Sequence, residues 1–134
     1  MGAAKQYSYQ SKKLISWVLL GCWMVFIFLS SSIPGKNIPL LFPYQDILYH
    51  ALIYAILGLL FYRALKLTFL KLSKTELLVI AVICSIIFGI TDEIHQMFVP
   101  ARTASLEDLI IDSVASYIGV ILARVDYYGS SKRV

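Results

Sequence analysis

Thr91-Asp92-Glu93-Ile94-His95-Gln96-Met97-Phe98-Val99-Pro100-Ala101-Arg102-Thr103-Ala104-Ser105-Leu106-Glu107-Asp108 joins two apolar runs near the C-terminus. The stretch reads as a helix end, a turn and a helix start. Pro100 lacks an N–H and stops the upstream run. Ser105, with Asp108 three positions on, opens the next helix in the manner of a capping box. Two helices therefore meet here, and their meeting point is crowded with ionisable side chains. An Asp at the centre of a membrane helix costs about 2.5–3.5 kcal/mol on insertion scales, and less toward the interface. Charges in such a place are functional candidates.

The surroundings make the membrane reading firm. The chain has 134 residues, is 59% hydrophobic and 15% charged, and has a mean hydropathy of +0.76. Soluble domains run at about 45–50% apolar and about 25% charged. The expected fold is all-α: one domain, an integral membrane bundle of four transmembrane helices. Upstream of the quoted stretch, a helix is predicted from about Thr75 to Phe98, with Thr75 or Ser73 as its N-cap. Before it, Lys66, Lys71 and Lys74 form a basic connector, and another helix runs from about Asp46 to Leu65. Pro34, Gly35, Pro39 and Pro43 mark a loop or short re-entrant segment. The first apolar run, Leu14 to Ile33, is long enough to cross a bilayer. It exceeds a signal-peptide core and no A-x-A-like site follows, so it is read as a retained helix. The last helix is expected from Leu106 to about Val125. Gln6 stands where a myristoylation signal at Gly2 needs Ser or Thr, so lipidation is not expected.

With four crossings, one side carries Lys5, Lys12, Lys13, Arg63, Lys66, Lys71, Lys74, Arg124, Lys132 and Arg133, and the other only Lys36 and Arg102. The positive-inside rule then puts both termini in the cytoplasm, with a multi-pass chain in the membrane. The net charge of +4 is thus a topology signal, and no nucleic-acid partner is expected. Asp46, Asp92, Glu93, Glu107, Asp108 and Asp112 all fall on the outer side, whereas Glu76 and Asp126 fall inside. Cys22 and Cys84 sit within apolar runs as free thiols. No GxGxxG, P-loop, HExxH or CxxC is present.

Residues three and four apart share a helix face. Asp46, His50, Tyr54 and Gly58 form one line. Ala81, Ser85, Gly89, Asp92, Glu93 and Gln96 form a second, and Asp108, Asp112, Ala115, Gly119 and Ala123 a third. Small residues at four-residue spacing mark close packing between membrane helices. On each helix the polar residues continue that packed face, so the outer ends of three helices are expected to converge on one polar cavity. Six acids there face Lys36, Arg102, His50 and His95. Ion pairing of Arg102 with Asp92 or Asp108 would account for part of the set, and the surplus carboxylates would need a cation, shared protons or a polar ligand.

Asp46, one turn before His50, is expected to orient it. His95 lies off the line and points toward the headgroups. Tyr54 could equally be an interfacial anchor. Binding of zinc, manganese or iron by His50 with Asp92, Glu93 or Asp112 is chemically open, but no close-spaced ligand motif marks it.

At these positions the chain resembles the VanZ-like family of small bacterial membrane proteins, from about Leu14 to Ala123. The family's Asp-x-x-x-His-x-x-x-Tyr line is read at Asp46, His50 and Tyr54. Its Asp-Glu-x-x-Gln-x-x-x-x-x-Arg element is read at Asp92, Glu93, Gln96 and Arg102. Its Ser-x-x-Asp-x-x-x-Asn-x-x-Gly element is read at Ser105, Asp108 and, loosely, Gly119. Ser31-Ser32 also suits the family. Ile47 stands where the family often has Lys, and Asp112 where it often has Asn; an acid does not donate as an amide does unless protonated.

The resemblance implies a role at the bacterial envelope, in a family whose founding member is linked to resistance to teicoplanin, a glycopeptide. The expected function is to bind or act on a lipid-linked or cell-wall component, or a glycopeptide-related ligand, at an outward polar site. Asp46, His50, Asp92, Glu93, Arg102 and Asp108 are the candidate catalytic residues. Tyr54, Gln96, Ser105 and Asp112 are the candidate ligand contacts. Arg102 would hold an anionic group. His50, Asp92 or Glu93 would act as base, and Asp108 beside the Asp92–Glu93 pair could supply the acid. The alternative is a scaffold or partner subunit whose polar cluster is a structural ion-pair network. Ion translocation is disfavoured because no charged route continues to the cytoplasmic side.

Overall fold

A computed structural model describes residues 3–131, with side chains from 4 to 125. The backbone forms four helices: α1 Ala3–Ser31, α2 Gln45–Lys66, α3 Lys74–Gln96 and α4 Leu106–Ser131, with a short 3-10 turn at Gly35–Asn37. No strand occurs among the described residues. Lys132 and Arg133, counted in the charge asymmetry, lie outside them, as do Gly2 and the side chain of Asp126.

Three of the helices, α1 to α3, are long and apolar enough to cross a membrane. The fourth is not among them over its described residues, where Glu107, Asp108, Asp112 and Arg124 interrupt the apolar run. The outward faces are greasy. Val18, Leu29, Leu52, Ile83 and Ile87 are all exposed, far beyond what a water-soluble surface carries.

Helix starts follow local chemistry. α1 begins well before Leu14, because Ala3 to Lys13 contains no breaker and the Tyr9 hydroxyl donates to the Leu67 carbonyl at 2.5 Å, tying it to the end of α2. Ser73 caps α3: its hydroxyl accepts from Glu76 N–H and Glu76 accepts from Ser73 N–H, a complete capping box. Ser73→Ala is expected to lower stability by about 0.5–2 kcal/mol, read as a lower thermal midpoint in detergent.

α2 is central. It packs on α1, α3 and α4, whereas among the described residues the α1 and α4 backbones do not come close to each other. The tightest contact is α2 against α4. A Cβ on Gly58 would stand 2.2 Å from the Ser116 carbonyl oxygen, and one on Gly119 would stand 1.8 Å from that of Ala55. These glycines let the two backbones approach, as in small-residue packing of membrane helices. Trp23 of α1 donates to the Ile53 carbonyl of α2 at 2.9 Å. Beneath the polar end lies a core of Leu20, Ile27, Leu57, Tyr62, Ala81 and Val120.

Candidate functional site

The close α2–α4 approach sets the register of the polar end. His50, one helical turn before Tyr54, faces α4, and its Nδ1–H donates to Asp112 Oδ1 at 3.0 Å. The donor assignment follows because an ionised carboxylate only accepts. Both residues are buried. Asp46 is not a hydrogen-bond partner of His50. It is exposed in the first turn of α2, and the orienting acid comes from α4 instead. The physical reason is depth along one face: Asp46 lies in the exposed first turn, while His50, one turn further in, is buried against α4 and meets Asp112 there.

Asp92 is a tie between three helices. It accepts from Ser31 of α1 at 2.6 Å, from the Tyr54 hydroxyl of α2 at 3.4 Å and from Gln96 Nε2 of its own helix at 3.3 Å. Glu93 accepts the backbone N–H of Ser105 at 2.7 Å. Ser105 in turn caps α4 by accepting Asp108 N–H at 3.2 Å. In a full capping box the side chain of Asp108 would take the Ser105 N–H. Glu93 takes it instead, from another helix, which leaves the Asp108 carboxylate free to face a cavity.

Two cavities adjoin at this end. The polar one, of about 320 Å³, is lined by Asp46, His50, Gln96, Arg102, Thr103 and Asp108 among others. The larger, of about 440 Å³, is walled mainly by apolar residues, including Ile33, Leu41, Phe42, Leu48 and Leu52. Ile38, Gln45, Asp46, His50 and Arg102 line both, so the polar chamber and the apolar trough share a wall. Arg102 makes no ion pair with Asp92 or Asp108. Its Nε donates to the Ile33 carbonyl at 3.4 Å, and it is half-buried.

The roof is made by two loops docked on each other. Gly35 N–H donates to the Pro100 carbonyl at 3.1 Å, and a Cβ on Gly35 would stand 1.9 Å from the Ala101 carbonyl oxygen. Ala101 and Tyr44 both have left-handed backbone, φ 58° and 61°. Left-handed non-glycine residues cost about 1–2 kcal/mol each and concentrate at functional sites.

Of the ten expected site residues, Asp46, His50, Gln96, Arg102 and Asp108 line the chamber. Asp92, Glu93, Asp112, Tyr54 and Ser105 stand behind it in hydrogen bonds to its frame. Ser31, Gln45 and the Gly35 and Ala101 loop positions were not in the expected set. Only Ser31 carried a signal, as half of a serine pair at a helix end. His95 is apart from the chamber, stacked on Phe28 at 4.4 Å and 2.9 Å from Ser32 Oγ.

A family model described as VanZ/LLP1 matches residues 16–126. No curated protein and no solved structure matches the chain.

Proposed function

Because the chain belongs to the VanZ/LLP1 family, and because its polar chamber shares a wall with an apolar trough, we propose that it holds a membrane amphiphile with an anionic head, such as a lipid-linked envelope component. Membership of the family fits a cell-envelope protein linked to glycopeptide resistance in general. The shared wall carries the reading. A headgroup in the chamber would meet Arg102, Gln96 and the His50 edge, while its chain would lie along Ile33, Leu41 and Leu52.

Arg102 is the specificity element. A guanidinium presents a planar fork of donors suited to phosphate or carboxylate, and this one is not consumed by an acid. That also argues against the scaffold alternative, which needs Arg102 inside an ion-pair network. If the site is catalytic, His50 held by Asp112, or Asp108 on the chamber wall, is the acid–base group.

The chain crosses the bacterial cytoplasmic membrane four times in this reading, with the chamber facing outward and both termini cytoplasmic. Ile110, Val114, Ile118 and Leu122 support a fourth crossing: they are exposed at four-residue spacing and give α4 a lipid-facing stripe. The basic residues at the opposite end support the orientation.

The test is binding of a polyprenyl phosphate to the purified chain in detergent, followed by native mass spectrometry. Arg102→Ala is expected to weaken binding by about tenfold or more, the scale of losing a hydrogen bond to a charged group. Arg102→Lys should recover part of it, and the uncharged polyprenol should bind weakly to all three proteins. Equal affinity of wild type and Arg102→Ala would sink the reading.

A further inference from the structure

We propose that His50, Glu93 and Asp112 form a binding site for a divalent cation of the zinc class. The three residues come from α2, α3 and α4, and each offers one ligand atom within 4.8 Å of the others. All three are buried, at 5%, 6% and 2% exposure. Two of their oxygens, Glu93 Oε1 and Asp112 Oδ2, have no hydrogen-bond partner. A buried carboxylate oxygen without a donor is costly, and here two occur in one cluster with a histidine.

A divalent ion removes that cost. One neutral imidazole and two carboxylates around a doubly charged ion sum to zero, which suits a site closed off from water. Mixed His and carboxylate ligands are those of zinc and its neighbours. Two ligands on a tetrahedral ion with bonds of about 2.0–2.1 Å stand about 3.3–3.4 Å apart. His50 Nδ1 and Asp112 Oδ1 already stand 3.0 Å apart. When Nδ1 ligates, the imidazole carries its proton on Nε2. The third ligand, within 4.8 Å of the other two, needs to move in by at most about 1.5 Å. Ser105 N–H, bonded to Glu93 Oε2, fixes the third ligand from behind, as outer partners of metal ligands do. Three protein ligands leave a fourth position, the arrangement of zinc sites that bind water or a ligand group. His50 also lines the chamber, so that position has a route to it. The proposal does not depend on the amphiphile reading.

The full chain, purified in mild detergent and stripped with chelator, is loaded with Zn2+ or Co2+, desalted and analysed for metal. The expected result is about one equivalent per chain and a visible absorption spectrum for the Co2+ form. His50→Ala, Glu93→Gln and Asp112→Asn should each weaken binding by at least about tenfold, whereas Glu107→Gln, on the exposed side of α4, should not. Should the variants not fold, wild type alone decides: Zn2+ should raise its thermal midpoint and chelator should reverse the rise. Folded wild type that takes up well under one equivalent, with a midpoint indifferent to Zn2+, overturns the proposal. So does binding that survives all three substitutions.

Discussion

Gly119→Leu is expected to leave almost no folded protein. A side chain at 119 would begin 1.8 Å from the Ala55 carbonyl oxygen, which is backbone and has nowhere to go. Even alanine forces the α2 and α4 backbones apart, and overpacking of this kind costs about 1–3 kcal/mol. Leucine adds three further carbons in the same place. In lipid the effect is sharpened, because helices gain nothing from hiding apolar surface and associate through close packing and hydrogen bonds. Separation of α2 from α4 would also break the His50–Asp112 bond and the Ser116 hydroxyl bond to the Tyr54 carbonyl, at 3.0 and 3.2 Å. The measurement is the monodisperse fraction in mild detergent and its thermal midpoint, in the order wild type, Gly119→Ala, Gly119→Leu. Gly21→Leu is the control: nothing lies within 4 Å of its Cβ position, so it should behave as wild type. A Gly119→Leu protein as stable as wild type would show that the α2–α4 contact is not the organising one.

The second large effect is expected at the buried pair. His50→Phe should destabilise by about 3–5 kcal/mol, because it leaves Asp112 charged and alone in the interior. Asp112→Leu should cost less, since the histidine it strands can stay neutral. The double variant, His50→Phe with Asp112→Leu, should regain most of the loss, as apolar replacements of buried ion pairs often do. Its binding of amphiphile, and any envelope phenotype such as glycopeptide susceptibility, should nevertheless remain lost. A thermal double-mutant cycle run beside a susceptibility assay separates the two roles. Recovery of both stability and phenotype would make the pair structural only; recovery of neither would point to a packing defect.

Much of this end of the molecule is legible in one dimension. Ala81, Ser85, Gly89, Asp92, Glu93 and Gln96 are all buried on one face of α3, as their spacing requires. Ser105 caps α4 through Asp108 N–H, as a local motif three residues long must. Other features are invisible there. Asp46 precedes His50 by one turn, yet the bond goes to Asp112, 62 residues away. The capping acid of α4 is half replaced by Glu93, 12 residues back on another helix. Gly35 looks like an ordinary turn residue until the Ala101 carbonyl is found above it. Arg102 has acids on both sides in sequence and bonds to a backbone carbonyl instead.

The amino-acid sequence by itself determined the four helices, the packed faces of α2, α3 and α4 and the gathering of acids at one end. Those properties follow from a repeat of 3.6 residues and from caps, which are set by neighbours within one turn. The tertiary structure alone decided which carboxylates are held by hydrogen bonds, which oxygens are left without donors, and where polar chamber meets apolar trough. These depend on the rotation and depth of one helix against another. Here both are set where the backbones of α2 and α4 come close at Gly58 and Gly119; the spacing of small residues marks these faces for close packing, but no local pattern encodes which two faces meet or how deeply.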